Sequence, residues 1–136
     1  MVMSASEKGR HAELLAMAAL MANGWTVSEP TLPEAFDLSI KRNGDKQTFY
    51  VQVKTASLRD EERYNGEWVI TKGAKSNGTP YSKDEVDYFI AIFQGEVYMF
   101  PNLVQREYWV RPWELSESWT KLNIGIHAET TKSEAV

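Results

Sequence analysis

Four side chains in the first half of this chain are of the kinds that handle phosphates and hard cations: Glu13, Asp37, Gln52 and Lys54. Carboxylate and amide oxygens suit Mg²⁺, which takes one or two carboxylates and leaves its other positions to water and phosphate. Gln52 and Lys54 are two residues apart, so on a strand they share a face and put an ammonium beside an oxygen donor. Phosphodiester hydrolysis uses such parts: a metal to polarise the phosphoryl oxygen and lower the pKa of a water, and a cation to orient that water or meet developing charge. Singly these residues say little. A lone Asp on a strand is ordinarily solvated, and a Gln-x-Lys pair is ordinarily the wet side of a hairpin.

The elements that must position them are legible in outline. From Phe36 to Thr55 two arms alternate apolar and polar residues around Asn43-Gly44, which predicts a hairpin with a type I′ turn. With a two-residue loop Arg42 faces Asp45, Asp37 faces Tyr50, Leu38 faces Phe49 and Phe36 faces Val51. Phe36, Leu38, Phe49, Val51 and Val53 then form an apolar face, and Asp37, Tyr50, Gln52 and Lys54 the other. Upstream, Ser4-Ala-Ser6-Glu7 offers helix caps, and the Ala/Leu/Met-rich run to Ala22 ends at Asn23-Gly24. Helical winding places Gly9, Ala16, Met17, Leu20 and Met21 on one stripe with Glu13 among them. That acid either snorkels past the edge, pairs with Arg10 one turn earlier, or serves a site.

Downstream, Trp25–Ser28 reads as a strand, Ala56–Gly66 as a polar connection ending in an Asn65-Gly66 turn, and Glu67–Thr71 as a strand. The stretch Lys72 to Pro80 reads as a flexible basic loop. Ser82-Lys-Asp-Glu85 has the capping-box pattern and predicts a short helix. Tyr88–Phe93 and Val97–Phe100 form a second hairpin around Gln94-Gly95, closed by Pro101. The aromatic segment Leu103–Trp119, with Trp109, Trp113 and Trp119, is expected in a core or a subunit interface.

The composition is that of an ordinary globular protein, 43% hydrophobic and 25% charged over 136 residues. One domain over residues 1–126 is expected, with a disordered tail over 127–136. The absence of cysteine excludes disulfides and thiolate metal sites. Glu7, Lys8, Arg10, His11 and Glu13 break any signal-peptide or membrane-spanning run at the start, so a cytoplasmic protein without a membrane partner is expected. A net charge of −4 does not advertise a nucleic-acid binder, yet the balance reverses between Lys72 and Lys83.

The order helix with an acid, strand with an acid, turn, strand with Gln-x-Lys resembles the PD-(D/E)XK nuclease superfamily, over roughly residues 7–101. Glu13 matches the helix acid, Asp37 the motif's first acid, Gln52 its (D/E) position and Lys54 its lysine. Phe36 stands where proline is frequent. Gln52 in place of the second acid narrows the likeness to small homing-endonuclease-like or Holliday-junction-resolvase-like members, in which the helix glutamate helps hold metal. The resemblance implies an α/β (α+β) restriction-endonuclease-like core, a mixed sheet with a central hairpin flanked by an N-terminal helix and further helices. It implies a Mg²⁺-dependent endodeoxyribonuclease (Mn²⁺ substituting) with Glu13, Asp37 and Gln52 as ligands and Lys54 acting on the water. Lys72, Lys75 and Lys83 become candidate phosphate contacts on duplex or branched DNA, and a homodimer or larger homo-oligomer is needed to cut two strands. An inactive DNA- or protein-binding descendant is the alternative from another class.

Overall fold

The computed structural model describes residues 2–124, so the tail expected over 127–136 lies outside the described residues. The chain runs α1 (Ala5–Ala22), β1 (Trp25–Ser28), β2 (Leu38–Arg42), β3 (Phe49–Thr55), β4 (Ser57–Glu61) and β5 (Gly66–Lys72). It continues with β6 (Tyr88–Phe93), β7 (Glu96–Pro101), β8 (Glu107–Val110), α2 (Leu115–Ser118) and β9 (Thr120–Leu122). One sheet has the order β1-β2-β3-β6-β7-β9, with β3 and β6 parallel and the other neighbours antiparallel. A smaller antiparallel sheet has the order β4-β5-β8.

Helix α1 begins where its caps predict. Ser4 Oγ accepts the Glu7 N–H and Glu7 accepts the Ser4 N–H, a complete capping box. Its buried stripe is Ala12, Ala16, Ala19 and Leu20, rotated from the one predicted: Gly9 and Met21 are exposed. The small alanines let α1 lie close to one sheet face, against Leu38, Ile40, Val51, Val53 and Ile90. Glu13 consequently sits at the edge of the stripe.

The β2–β3 pairing differs from the predicted register by two residues: Leu38 faces Val51, Ser39 faces Tyr50 and Ile40 faces Phe49. A slide of two keeps every strand side chain on its face, so the polar side survives. The turn is wider than type I′, because only Gly44 of the central pair has positive φ (81°). The Asn43 side chain accepts from the Thr26 hydroxyl on β1 at 2.7 Å, and Asp45 Oδ1 accepts the Gln47 N–H at 3.1 Å, so the loop runs to Thr48. Phe36 precedes β2 and stacks on Tyr50, with ring centroids 4.1 Å apart, instead of joining the face of Leu38.

The second hairpin is as read, with positive φ at both Gln94 and Gly95. The polar connection after Ala56 contains a strand, β4, paired with β5. The helix predicted from Ser82 is one turn, and the remaining helical content beyond α1 is α2 and two 3-10 turns. Trp119 is core, stacked on Phe100 at 4.5 Å, which removes it from any subunit interface.

Buried Asn102 explains why the Ser82 turn stops. Its side-chain N–H groups donate to the carbonyls of Tyr81, Ser82 and Val86 at 2.9–3.2 Å, capturing acceptors a longer helix would use. Its Oδ1 accepts from the Val104 N–H and the Tyr108 hydroxyl. Asn102→Ala strands these buried partners, each unmade bond costing roughly 1–3 kcal/mol. We expect destabilisation of about 3 kcal/mol and a thermal midpoint about 10 °C lower by calorimetry. A midpoint unchanged from the parent would refute this role.

Candidate functional site

β2 ends its pairing with β3 at Leu38, and Asp37 carries the ladder one step further. Its N–H donates to the Val51 carbonyl at 2.9 Å, and its Oδ2 accepts the Val53 N–H at 2.9 Å. The carboxylate is thereby pinned against β3 between Gln52 and Lys54, which project from one face of that strand. The neighbouring parallel strand supplies Phe89 beside Gln52 and Ala91 beside Lys54, an apolar floor.

Burial raises the Asp37 pKa, and the nearby Glu13 charge raises it further; the Val53 N–H and the Lys54 ammonium oppose the shift. Burial lowers the Lys54 pKa, with Asp37 opposing and Lys72 adding to the fall. These couplings link Glu13 to Asp37, Asp37 to Lys54 and Lys54 to Lys72. Gln52 is 9% exposed, and no hydrogen bond among the described residues engages its side-chain amide.

Glu13 also pairs with Arg10 at 3.2 Å, and Arg10 in turn pairs with Glu29 at 2.6 Å. Of its three anticipated roles the pairing is present, and its field is felt at Asp37. Lys72 and Lys75 line one surface groove, and exposed Lys83 lies apart from it, beside Phe49 and Asp87. Lys75 forms an ion pair with Glu85 at 2.6 Å.

Tyr81 belongs to this neighbourhood and is absent from the sequence reading. The Lys54 Nζ stands 5.7 Å from its ring centroid, within cation–π range. Burial raises the Tyr81 pKa, with Asp37 and Glu85 adding to the rise. Directly after Pro80 it has the look of a turn residue; its N–H donating to the Gly73 carbonyl and its carbonyl accepting from Asn102 hold it here.

The ligands expected from the sequence would present only oxygen: the free Asp37 oxygen, the Gln52 amide carbonyl and the Glu13 carboxylate. Among the described residues no group of three His, Cys, Asp or Glu could hold a metal; the expected ligands are two carboxylates and an amide. An Asp37 anion penalised by burial and by a like charge is an environment short of positive charge, so a hard divalent cation fits it.

A sequence model of the PD-(D/E)XK endonuclease family matches residues 3–111. No curated protein sequence matches the chain. Among solved structures the fold is similar to that of the bacterial homing endonuclease I-Ssp6803I, with a TM-score of 0.68 and 19% identity over 98% of this chain and 97% of that one. At that identity the likeness shows the fold, a helix on a mixed sheet with a central hairpin, as expected.

Because its pKa is raised, folded Asp37 holds a proton more tightly than the unfolded chain does. Its ionisation therefore destabilises the fold as pH climbs through the ordinary carboxylate range to the raised value, and the penalty is complete above it. Asp37→Asn keeps an acceptor for Val53 without the charge. We expect a higher thermal midpoint than the parent at pH 7 without added metal, the difference closing in acid where both forms are neutral. A lower midpoint at pH 7 would contradict this assignment.

Proposed function

The chain belongs to the PD-(D/E)XK endonuclease family, and from that premise we propose that it is a Mg²⁺-dependent DNA endonuclease of the homing-endonuclease kind, with Mn²⁺ able to substitute. The observation that carries this reading is the Asp37 carboxylate, held by the Val53 N–H in the field of both Glu13 and Lys54. Asp37 would be the principal ligand, with Glu13 and Gln52 in support. A divalent ion held there would supply Lewis acidity toward the phosphoryl oxygen and acidify a bound water.

The chain's own residues have separable tasks. Lys54, partly desolvated and over the Tyr81 ring, orients the attacking water and meets charge developing on the phosphate. Its depressed pKa makes it readier than a surface lysine to give or take a proton near neutrality. Arg10 draws part of the Glu13 charge away from Asp37 and holds the carboxylate at the helix edge. Lys72, Lys75 and Lys83 are proposed phosphate contacts, Lys75 after leaving Glu85. One active site per subunit implies a homodimer or larger assembly for a double-strand cut.

The same ion pair supports a second reading, a binding-only domain in which Arg10 permanently neutralises Glu13. We expect purified protein with Mg²⁺ to nick or cut duplex DNA, and Lys54→Ala to slow this by roughly 10²–10³-fold. Lys54→Ala cutting as fast as the parent would refute the assignment. DNA binding with no calorimetric Mn²⁺ binding, with or without DNA, would favour the binding-only reading. Faster cutting of a four-way junction than of linear duplex would make the enzyme a resolvase.

A further inference from the structure

The loop after β5 builds a groove of which the catalytic reading uses only Lys72 and Lys75, as phosphate contacts. Its base is fixed by the Gly73 N–H donating to the Arg106 carbonyl at 2.7 Å, and a Cβ at Gly73 would collide with the Gln105 carbonyl and the Tyr108 ring. Its tip is closed, contrary to the flexible loop expected: Lys75 N–H donates to the Thr79 carbonyl, and Thr79 N–H to Asn77 Oδ1. Between this loop and β8 lies an open groove of about 760 Å³, walled by Lys72, Arg106, Glu107 and Trp109, with the Glu107 carboxylate accepting from the Trp109 indole N–H at 3.0 Å. The exposed tip residues Ser76, Asn77 and Thr79 offer hydroxyl and amide groups along one rim.

The charge of the groove is unusual for a chain with net charge −4. Lys72 and Arg106 have no ion-pair partner among the described residues. Beyond Trp109 the track continues on the outer face of the β4-β5-β8 sheet. Arg59 lies 5.2 Å over the Trp109 ring, and Arg111 lies 3.8 Å over Trp68 while donating to the carbonyls of Asn65 and Glu67. Arg111 too lacks an acidic partner among the described residues. At its other end the groove begins at Lys72, whose charge is felt at Lys54. Lys72, Arg106 and Arg111 without acidic partners, Arg59 shared with Glu61 at 3.6 Å, and neutral donors thus form one strip leading away from the candidate active site.

We propose that this groove and the sheet face beyond it bind the duplex flanking the cleavage point, with Arg106 and the 76–79 tip as phosphate and groove contacts and Arg111 as a preoriented cation. The proposal rests on the nuclease reading above and adds the path of the DNA across the protein. Strands and their loops can enter a major groove, and cations placed on phosphates position the duplex through counterion release. An apolar partner would leave Lys72, Arg106 and Arg111 desolvated without counter-charges, which disfavours a protein surface in the same place.

The test is fluorescence anisotropy of the full chain on a labelled duplex of about 40 bp in EDTA across a salt series, long enough for several phosphate contacts. Arg106→Glu and Ser76→Glu are compared with Lys46→Glu, an exposed position in the β2–β3 loop. We expect each groove variant to weaken binding about tenfold or more, and an Arg106→Ala variant to reduce the salt slope by about one, while Lys46→Glu stays near the parent. If the parent binds and cuts duplex but the groove variants match Lys46→Glu, the DNA path is wrong and the nuclease reading stands. If groove variants lose binding while the parent with Mg²⁺ or Mn²⁺ leaves the duplex uncut, the path stands and the nuclease reading falls. If Arg106→Glu changes the sedimenting mass and leaves DNA binding untouched, the face is a contact between copies and the proposal is overturned.

Discussion

Where β2 parts from β3, the Asp37 carboxylate occupies the ladder position its backbone leaves, accepting the Val53 N–H at 2.9 Å. This bond ties a charged side chain to the strand that carries Gln52 and Lys54, so the spacing of the site is set by sheet geometry instead of rotamer choice. The anion that this bond favours also has a cost, since burial and Glu13 both disfavour it. The hairpin core on the opposite face must therefore hold the strands together. Leu38, Ile40, Val51 and Val53, packed under the alanine stripe of α1, do so.

A second polar centre plays the corresponding part for the loops. Asn102, 2% exposed, ties the end of β7 to the turn at Ser82 and, through the Tyr108 hydroxyl, to β8. Tyr108 packs on Phe89 and Phe100 and sits against Gly73. One buried amide thus connects the Tyr81 ring under Lys54 with the base of the Lys72–Pro80 loop. Active site and groove share a support, and its satisfied hydrogen bonds make the arrangement rigid where a surface loop would be mobile.

Local signals were enough for α1, β1 and the β6–β7 hairpin, because caps at Ser4 and Asn23 and the Gln94-Gly95 turn act within a few residues. The β2–β3 register was not local: the Thr26 hydroxyl on β1 holds Asn43 and opens the turn. The polar face still came out correctly, since a slide of two preserves alternation. β4 escaped notice because none of its five residues is buried, leaving no apolar period to read. Glu13 was singled out for lying within a stripe that proved to be rotated, and its relation to Asp37 depends on how α1 crosses the sheet. Tyr81 meets Lys54, and Asn102 meets the Ser82 turn, through contacts distant in sequence, so no spacing announces these roles.

Gln52 departs from the family's second acid, and the local electrostatics give a reason. The position is almost wholly buried, beside Phe89 on a parallel strand, and next to an Asp37 whose ionisation is already opposed. A carboxylate there would add a third negative charge to a desolvated site whose nearest compensation is one lysine with a depressed pKa of its own. An amide keeps the oxygen donor and omits the charge. The second acidic contribution then has to come from a group that stays partly solvated and can be screened when the site is empty. Glu13, about one-third exposed and paired with Arg10, meets both conditions. On the proposed assignment, neutral Gln52 and the acid at the helix edge would be one adaptation, with charge moved from the buried strand to the helix where it costs less.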